Sequence, residues 1–192
     1  MKIFEKMIIF KIIVLILLKI QRIKIGEKSQ FFGFPIIIQR KGKIEIGHNF
    51  TLASGFLSNL IGLYQRSIIF ARNGGRIIIG NNVSMSGITL YSFTSIIIGD
   101  NVLVGANTKI IDSDFHPIDP KDRLVNPDDK EKTISKEIVI DNNVFIGCNV
   151  LILKGVHIGK NSVIGAGSVV TKNIPENCIA VGNPAKVVKF LN

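Results

Sequence analysis

From Ile138 to Thr171 the chain places an aliphatic residue at every sixth position: Ile140, Ile146, Ile152, Ile158, Ile164 and Val170. A second aliphatic series stands two residues ahead of the first four, at Ile138, Val144, Val150 and Val156, and glycine follows three of the first series at Gly147, Gly159 and Gly165. A period of six fits neither an amphipathic helix nor one long strand. It requires the backbone to turn every six residues, with a short flat side, one aliphatic side chain pointing inward, and a corner where glycine permits φ > 0. Coils of this kind stack into a parallel β-helix, in which each coil buries its inner face against its neighbours.

The same phase runs upstream through Ile98–Gly99, Val104–Gly105 and Ile110, and Ile79–Gly80 and Ile46–Gly47 open earlier runs. Ile79 to Ile98 is nineteen residues rather than eighteen, which predicts one bulge or corner insertion near Ser86–Thr94. The β-helix is therefore expected over 25–174, beginning with irregular coils in 25–75. The aliphatic phase fails between Ile111 and Ile138, where a stretch with three prolines and many charges predicts a long loop over 112–137. A loop of that length inside a compact repeat is a candidate functional segment.

Residues 1–24 are apolar, with Lys2, Lys6, Lys11, Lys19, Arg22 and Lys24 spaced through them and only Glu5 opposing. The longest uninterrupted apolar run, Ile12–Leu18, is too short to span a bilayer, which takes about twenty residues. Its basic start resembles a signal peptide, but no small-residue cleavage site follows. A helical segment is expected, and two roles remain open: lying on an anionic membrane face, or capping the open end of the β-helix. The basic residues do not form one clean helical stripe, which weakens the first. At the other end, 175–192 form a tail. Asn183 as N-cap and Pro184 at the first helical position predict a short terminal helix, with Val187 and Phe190 on its buried face and Lys186 and Lys189 on the open one.

Composition narrows the class. The 192 residues, 46% hydrophobic and 20% charged, fit a single domain with small appendages. Cys148 and Cys178 have neither metal-ligand spacing nor the framework of a secreted domain, so free thiols in a reducing, cytoplasmic setting are expected. A net charge of +10 calls for an anionic partner. No nucleic-acid-reading motif is present, and nucleic acid is not an expected partner. His48 and His157 sit at predicted outward positions, which leaves His116, in the long loop, as the histidine available for chemistry; a three-histidine zinc site, and any metal, is not expected.

The segment NNVFIGCNVLILKGVHIGKNSVIGAGSVVTKNIPENCIAVGNPAKVV closely resembles the C-terminal signature of the hexapeptide-repeat O-acetyltransferases, the group containing maltose and galactoside acetyltransferases. The likeness covers roughly residues 76–190, and IIDSDFHPID is most similar to members that acetylate bacterial surface polysaccharides. The resemblance implies an all-β fold, a left-handed parallel β-helix assembled as a homotrimer. It also implies acetyl-CoA as co-substrate, held between two subunits, and a saccharide hydroxyl as acceptor. His116 matches the family's catalytic histidine. A hydroxyl needs a base before it attacks a thioester, and imidazole is suited to that work. Pro117 biases His116 toward extended backbone. In an extended segment Asp112, Asp114 and His116 share one side, so either carboxylate is a candidate to orient the ring, Asp114 as a catalytic partner and Asp112 as an acceptor contact.

By the same resemblance, Cys148, Ala166, Thr171, Lys172 and Lys189 match acetyl-CoA contacts. Backbone amides of Cys148 and Ala166 would hold the thioester end and pantetheine arm; Lys172 and Lys189, with Lys186 nearby, would meet the phosphates. Phe145 stands where many members have tryptophan, keeping a stacking surface but losing a donor. Ser86 replaces polar acceptor-binding residues of the thiogalactoside enzymes, and Arg123 is a candidate for an acidic or phosphorylated sugar. Two competing readings are N-acetylation of a nucleotide-linked amino sugar, against which the lack of an N-terminal nucleotide-binding βαβ pattern argues, and a non-acylating hydratase or scaffold. Peripheral contact with the inner membrane face is an expectation tied to residues 1–24.

Overall fold

The computed structural model describes residues 2–192, with side chains from residue 9 onward. It is a three-sided prism of stacked coils, each coil supplying one short strand to each of three sheets. Face one holds Lys24–Ile25, Lys43–Ile46, Arg76–Ile79, Ser95–Ile98, Ile138–Ile140 and His157–Ile158. Face two begins with Gln30–Gly33 and runs through Thr51–Ser54, Ser84–Ser86, Leu103–Val104, Phe145–Ile146 and Val163–Ile164 before a terminal pair. Face three holds Ile36–Arg40, Ile68–Arg72, Thr89–Ser92, Lys109–Ile111, Leu151–Leu153 and Val169–Val170. Neighbouring strands within each face are parallel and in register, as in Ile98 beside Ile140 and Ile146 beside Ile164.

The six-residue series is the core. Ile140, Ile146, Ile152, Ile158, Ile164 and Val170 are each no more than 1% exposed, and the companion series Ile138, Val144, Val150 and Val156 is equally buried. Every one of these side chains stacks on its counterpart one coil away, at the strand spacing of about 4.8 Å.

What holds the spacing lies at the corner between faces one and two. Asn49, Asn82, Asn101, Asn143, Asn161 and Asn177 occupy it in successive coils, all left-handed, with φ between 54° and 61°. Asparagine tolerates this region better than other side chains with a Cβ. Each of the first five donates its amide to the side-chain oxygen of the next, at 2.7–3.1 Å, and so forms one continuous ladder.

The nineteen-residue interval is confined to the stretch expected, but it is two changes rather than one. Met85 pairs with Val104, Leu90 with Ile110 and Ile98 with Ile140, so the steps from Ile79 are six, five and eight residues. The short step turns at Gly87, φ +57°, and the long one adds Phe93 and Thr94 to the corner between faces three and one.

At the N-terminal end, helix α1 (Lys2–Ile20) closes the prism. Val14 and Leu18, 4% and 1% exposed, join the core under the first coil. Gln21, just past the helix, donates to the Ile37 carbonyl (2.9 Å) and accepts from the Gln39 amide (3.0 Å). The capping role is thus filled by one side of the helix, while Ile9, Ile12, Ile13, Ile16, Leu17 and Ile20 remain exposed on the rest.

The expected C-terminal helix is not formed. Ala185–Phe190 is a strand, antiparallel to Cys178–Gly182 on the far edge of face two. Cys178–Gly182 would otherwise leave one side of its backbone unpaired at the last coil, an edge that sheets must cover. The Val187–Val188 pair and Phe190 favour a strand, and Gly182 at φ +105° makes the turn. The capping signal at Asn183–Pro184 is overridden by this pairing.

The ladder gives a stability test. Asn143→Gly loses two ladder bonds but keeps the left-handed corner, whereas Asn143→Ala also forces Ala into φ +61°. The Ala variant should lie below the Gly variant by roughly 1–2 kcal/mol in chemical denaturation. Equal stabilities would mean that corner conformation contributes nothing.

Candidate active site

The long insertion leaves face three at Asp112 and rejoins the prism at Ile138. Its neck is tied at several points. The Lys136 amide donates to the Asp112 carbonyl (2.9 Å), the Asp114 amide to the Ile134 carbonyl (3.1 Å), and Ser135 Oγ to Ser113 Oγ (2.9 Å). Asp112 itself is fully buried. Its carboxylate accepts from Ser92 Oγ (2.7 Å), the Phe93 amide (2.7 Å) and the Thr94 amide (2.8 Å). This corrects its reading as an acceptor contact: Asp112 clamps the lengthened corner of the preceding coil.

Asp114 also turns to the scaffold. Its Oδ1 accepts from Lys154 Nζ at 2.5 Å, with both side chains 23% exposed. The expected shared side of Asp112, Asp114 and His116 fails because Phe115 is left-handed, φ +66°, which breaks the alternation of an extended strand. That unfavourable conformation is held by the Ser113 hydroxyl, which accepts from the Phe115 amide at 3.1 Å. Packing of the Phe115 ring on Tyr91 and Phe93, centroids 5.2 and 5.6 Å away, holds it as well.

His116 projects beyond this twist, its side chain 54% exposed. Its Nδ1 lies 2.6 Å from the Pro127 carbonyl oxygen and 3.7 Å from Asp128 Oδ1. A carbonyl oxygen only accepts, so in the neutral ring the proton sits on Nδ1 and the Nε2 lone pair is free. The ring is therefore oriented from the far side of its own loop, with neither Asp112 nor Asp114 in contact. That far side contains helix α2 (Pro120–Val125), capped by Asp119 accepting from the Lys121 amide at 2.8 Å. Arg123, expected to meet substrate, instead donates inward to the carbonyls of Pro117 (3.0 Å) and Ile118, bracing the backbone beside His116. Lys132 pairs with Asp122 at 2.5 Å, and that carboxylate pushes the amine above its ordinary range.

A second set of the expected residues lies on another corner, between faces two and three. Cys148, half-buried, and Ala166, exposed, occupy equivalent places in successive coils. Backbones here nearly touch: a Cβ on Gly147 would come within 2.5 Å of the Ala166 amide nitrogen. Phe145 (48% exposed) and Leu103 (51%) stand outward on the adjoining face, lining a groove of about 320 Å³ that also takes in Ser84 and Ser86. The groove's rim is a second insertion, residues 55–66, unsuspected from the sequence. Its Leu63 is 1% exposed and clusters with Ala53 and Ala106, with Cys148 packed alongside. Asn59 donates to Ser86 Oγ (3.1 Å), and Asn107 to the Gly62 carbonyl (2.9 Å). Its sequence signal is the interval from Leu52 to Ile69, seventeen residues in which the phase of Leu52 meets Ser58 and Tyr64 rather than aliphatics.

Thr171 and Lys172 are exposed at the corner between faces three and one, in the same column as the His116 insertion, and Lys186 and Lys189 are exposed on the terminal strand. None of these three lysines has an ion-pair partner among the described residues. The expected site residues thus divide between two corners of the prism. Lys154, Pro127 and Asp128, which hold Asp114 and His116, were not singled out by sequence.

Two family models match the chain, bacterial transferase hexapeptide (six repeats) over residues 137–172 and hexapeptide repeat of succinyl-transferase over 94–111. WbbJ of Escherichia coli K12, named for lipopolysaccharide-biosynthesis O-acetyl transfer, is 34% identical over 86% of this chain and 81% of its own length. The galactoside O-acetyltransferase of Lactococcus lactis is 40% identical over 55% of this chain and 48% of its own. The chain spans about half to three fifths of the length of the first curated relatives it matches. Among solved structures, the hexapeptide-repeat acetyltransferase VCA0836 of Vibrio cholerae complexed with acetyl-CoA is 26% identical, with a TM-score of 0.57 over 86% of this chain and 72% of that one. Repeat, coil stacking and these likenesses agree: the chain belongs to the hexapeptide-repeat acetyltransferase family and has its left-handed β-helix fold.

Proposed function

We propose that the protein transfers an acetyl group from acetyl-CoA to a hydroxyl of a bacterial surface saccharide or its precursor, with His116 as general base. The observation that carries this reading is the His116 ring itself, more than half exposed and held through Nδ1 at the Pro127 carbonyl, an arrangement that makes Nε2 the acceptor nitrogen of the neutral ring. Nε2 removes the acceptor hydroxyl proton as the oxygen forms a bond to the thioester carbonyl carbon. The carbon–sulfur bond then breaks, and the departing thiolate takes the proton back from the imidazolium. An amide of the Cys148–Ala166 column aimed at the thioester oxygen would stabilise the charge that develops there.

Donor and base residues belong to different corners of one chain, so a complete site needs two chains. A C3 homotrimer answers this, with the His116 column of one subunit, including Thr171 and Lys172, facing the Phe145–Cys148–Ala166 column of the next. Lys172, Lys186 and Lys189, exposed and without an ion pair among the described residues, are suited to the nucleotide phosphates. Asp114 ties the root of the loop to the next coil through Lys154 rather than touching the ring.

We also propose a peripheral place on an anionic membrane. No helix among the described residues is long and apolar enough to cross one. The six exposed aliphatics of α1, with Lys19, Arg22 and Lys24 exposed nearby, nevertheless offer an apolar face with a basic rim. Phe56, Leu57 and Leu60 of the 55–66 insertion, 77–88% exposed, add to it, and a shared cavity lined by Phe10, Phe34 and Gly55 joins helix and insertion.

Three measurements test these readings. His116→Ala should lower turnover about 10²–10⁴-fold while the assembly keeps its size in solution; undiminished turnover removes His116 from the mechanism. Calorimetry should find saturable acetyl-CoA binding that Lys172→Glu/Lys189→Glu abolishes, and a well-formed trimer that binds none would be a structural relative. Co-sedimentation with vesicles containing phosphatidylserine should be strong, and should fall when Ile12, Ile16 and Ile20 become serine. Equal recovery on neutral and anionic vesicles would refute the charged component.

A further inference from the structure

Beside His116 lies a cavity of about 330 Å³, separate from the face-two groove, that none of the expected site residues explains. Its volume is at the lower end of small-ligand sites, roughly 300–1,000 Å³, and suits one sugar ring. Phe93 and Phe115 line it, with Tyr91 behind them, all three rings mutually packed at 5.2–5.6 Å. The apolar body of an aromatic ring is what the C–H face of a pyranose packs against. Over Phe93 sits Arg72, its guanidinium carbon 5.2 Å from the ring centroid and one nitrogen 3.4 Å from the Tyr91 hydroxyl.

Arg72 is half-buried and, among the described residues, has no carboxylate at ion-pair distance. Withdrawing a charge from water without a counter-charge is unfavourable, so such an arginine is matched to an anion that arrives. Its surroundings reinforce the sign. Arg40 is its register partner in the neighbouring strand, and Lys130 lines the same cavity with no ion pair of its own. Of the acids nearby, Asp112 is buried and saturated by the 92–94 corner, and Asp128, 86% exposed, lines the cavity but forms no ion pair with Arg72 or Lys130 and stands 3.7 Å from His116 Nδ1.

We propose that this cavity is the acceptor subsite, and that the acceptor saccharide carries a carboxylate or phosphate group bound by Arg72 while its ring rests on Phe93 and Phe115. The fork of a guanidinium matches either oxyanion through two parallel N–H bonds. The role sequence assigned to Arg123, which braces its own loop, passes to Arg72. This rests on the acyltransferase reading of His116 and adds to it the charge of the substrate.

Binding distinguishes the two. Methyl β-glucuronide, glucose 6-phosphate and methyl β-glucoside are titrated into the full-length protein by ligand-observed NMR, with acetyl-CoA affinity measured calorimetrically on the same samples. The wild type should bind at least one anionic sugar about tenfold or more tighter than the neutral one, as expected for a charge-assisted pair. Preference for the glucuronide identifies a carboxylate, and preference for the sugar phosphate a phosphate. Arg72→Gln should erase the preference, and Arg72→Lys should retain part of it, both with acetyl-CoA affinity unchanged. Equal binding of all three sugars, binding of none, or a preference that survives in Arg72→Gln overturns the proposal while intact acetyl-CoA binding leaves the acyltransferase reading standing. Absence of acetyl-CoA binding in the wild type would sink that reading instead.

Discussion

The constraint on which this structure depends is the corner between faces one and two. A coil of three six-residue sides closes this corner with one residue in a left-handed conformation, and asparagine meets the need in six successive coils. Because each asparagine also hydrogen-bonds the next, no coil can slip by a residue without breaking the ladder on both sides. Equal coils have a functional consequence: residues at equivalent corners line up into columns. Chemistry can therefore be distributed along an edge of the prism by choosing what stands at each corner, while the aliphatic interior stays the same.

The insertions respect this arrangement. Both leave and return at corners, so neither disturbs a strand pairing. The His116 insertion is anchored where it departs, by a buried Asp112 carboxylate that satisfies two amides and a hydroxyl of the coil before it. Without those donors a buried carboxylate would be strongly unfavourable, and without the carboxylate the Ser92–Thr94 corner would leave two amides unpaired. The lengthened corner and the His116 insertion are mutually dependent. Farther out, the left-handed Phe115 converts a scaffold-facing segment into an outward-facing one within a single residue. Aspartates before it are bonded to the prism; the histidine after it stands outward.

This explains what was legible and what was not. Periodicity announced the coil, its inward residues and the position of the long insertion, because burial repeats at fixed spacing. The asparagine ladder is equally present in the sequence, since Asn recurs three residues after Ile46, Ile79, Ile98, Ile140, Ile158 and Ile174, but the glycines directly after the aliphatics are the more conspicuous corner signal. Asp114 and Arg123 were misjudged for a different reason. Their partners, Lys154 and the carbonyls of Pro117 and Ile118, are set by a backbone reversal at Phe115 and a short helix that no local propensity encodes. The terminal helix failed because a capping signal is local, whereas the unpaired edge that recruits Ala185–Phe190 is tertiary.

Separation of the two columns carries the synthesis furthest. On one chain, Phe145 and Leu103 project from face two at about half exposure, and the cations Lys186 and Lys189 of the terminal strand on that face have no counter-charges among the described residues. Apolar side chains beside a groove and unpaired cations along an edge are features that a long, partly apolar, phosphorylated ligand would cover together. The His116 edge is complementary, with an exposed imidazole near an aromatic cavity lined by Phe93 and Phe115. Each edge supplies what the other lacks. In the proposed trimer, their union across two copies would cover the surface left open on each and would call for a rigid scaffold between them, since reacting atoms must be brought together to within a fraction of an ångström by parts that never touch within one chain.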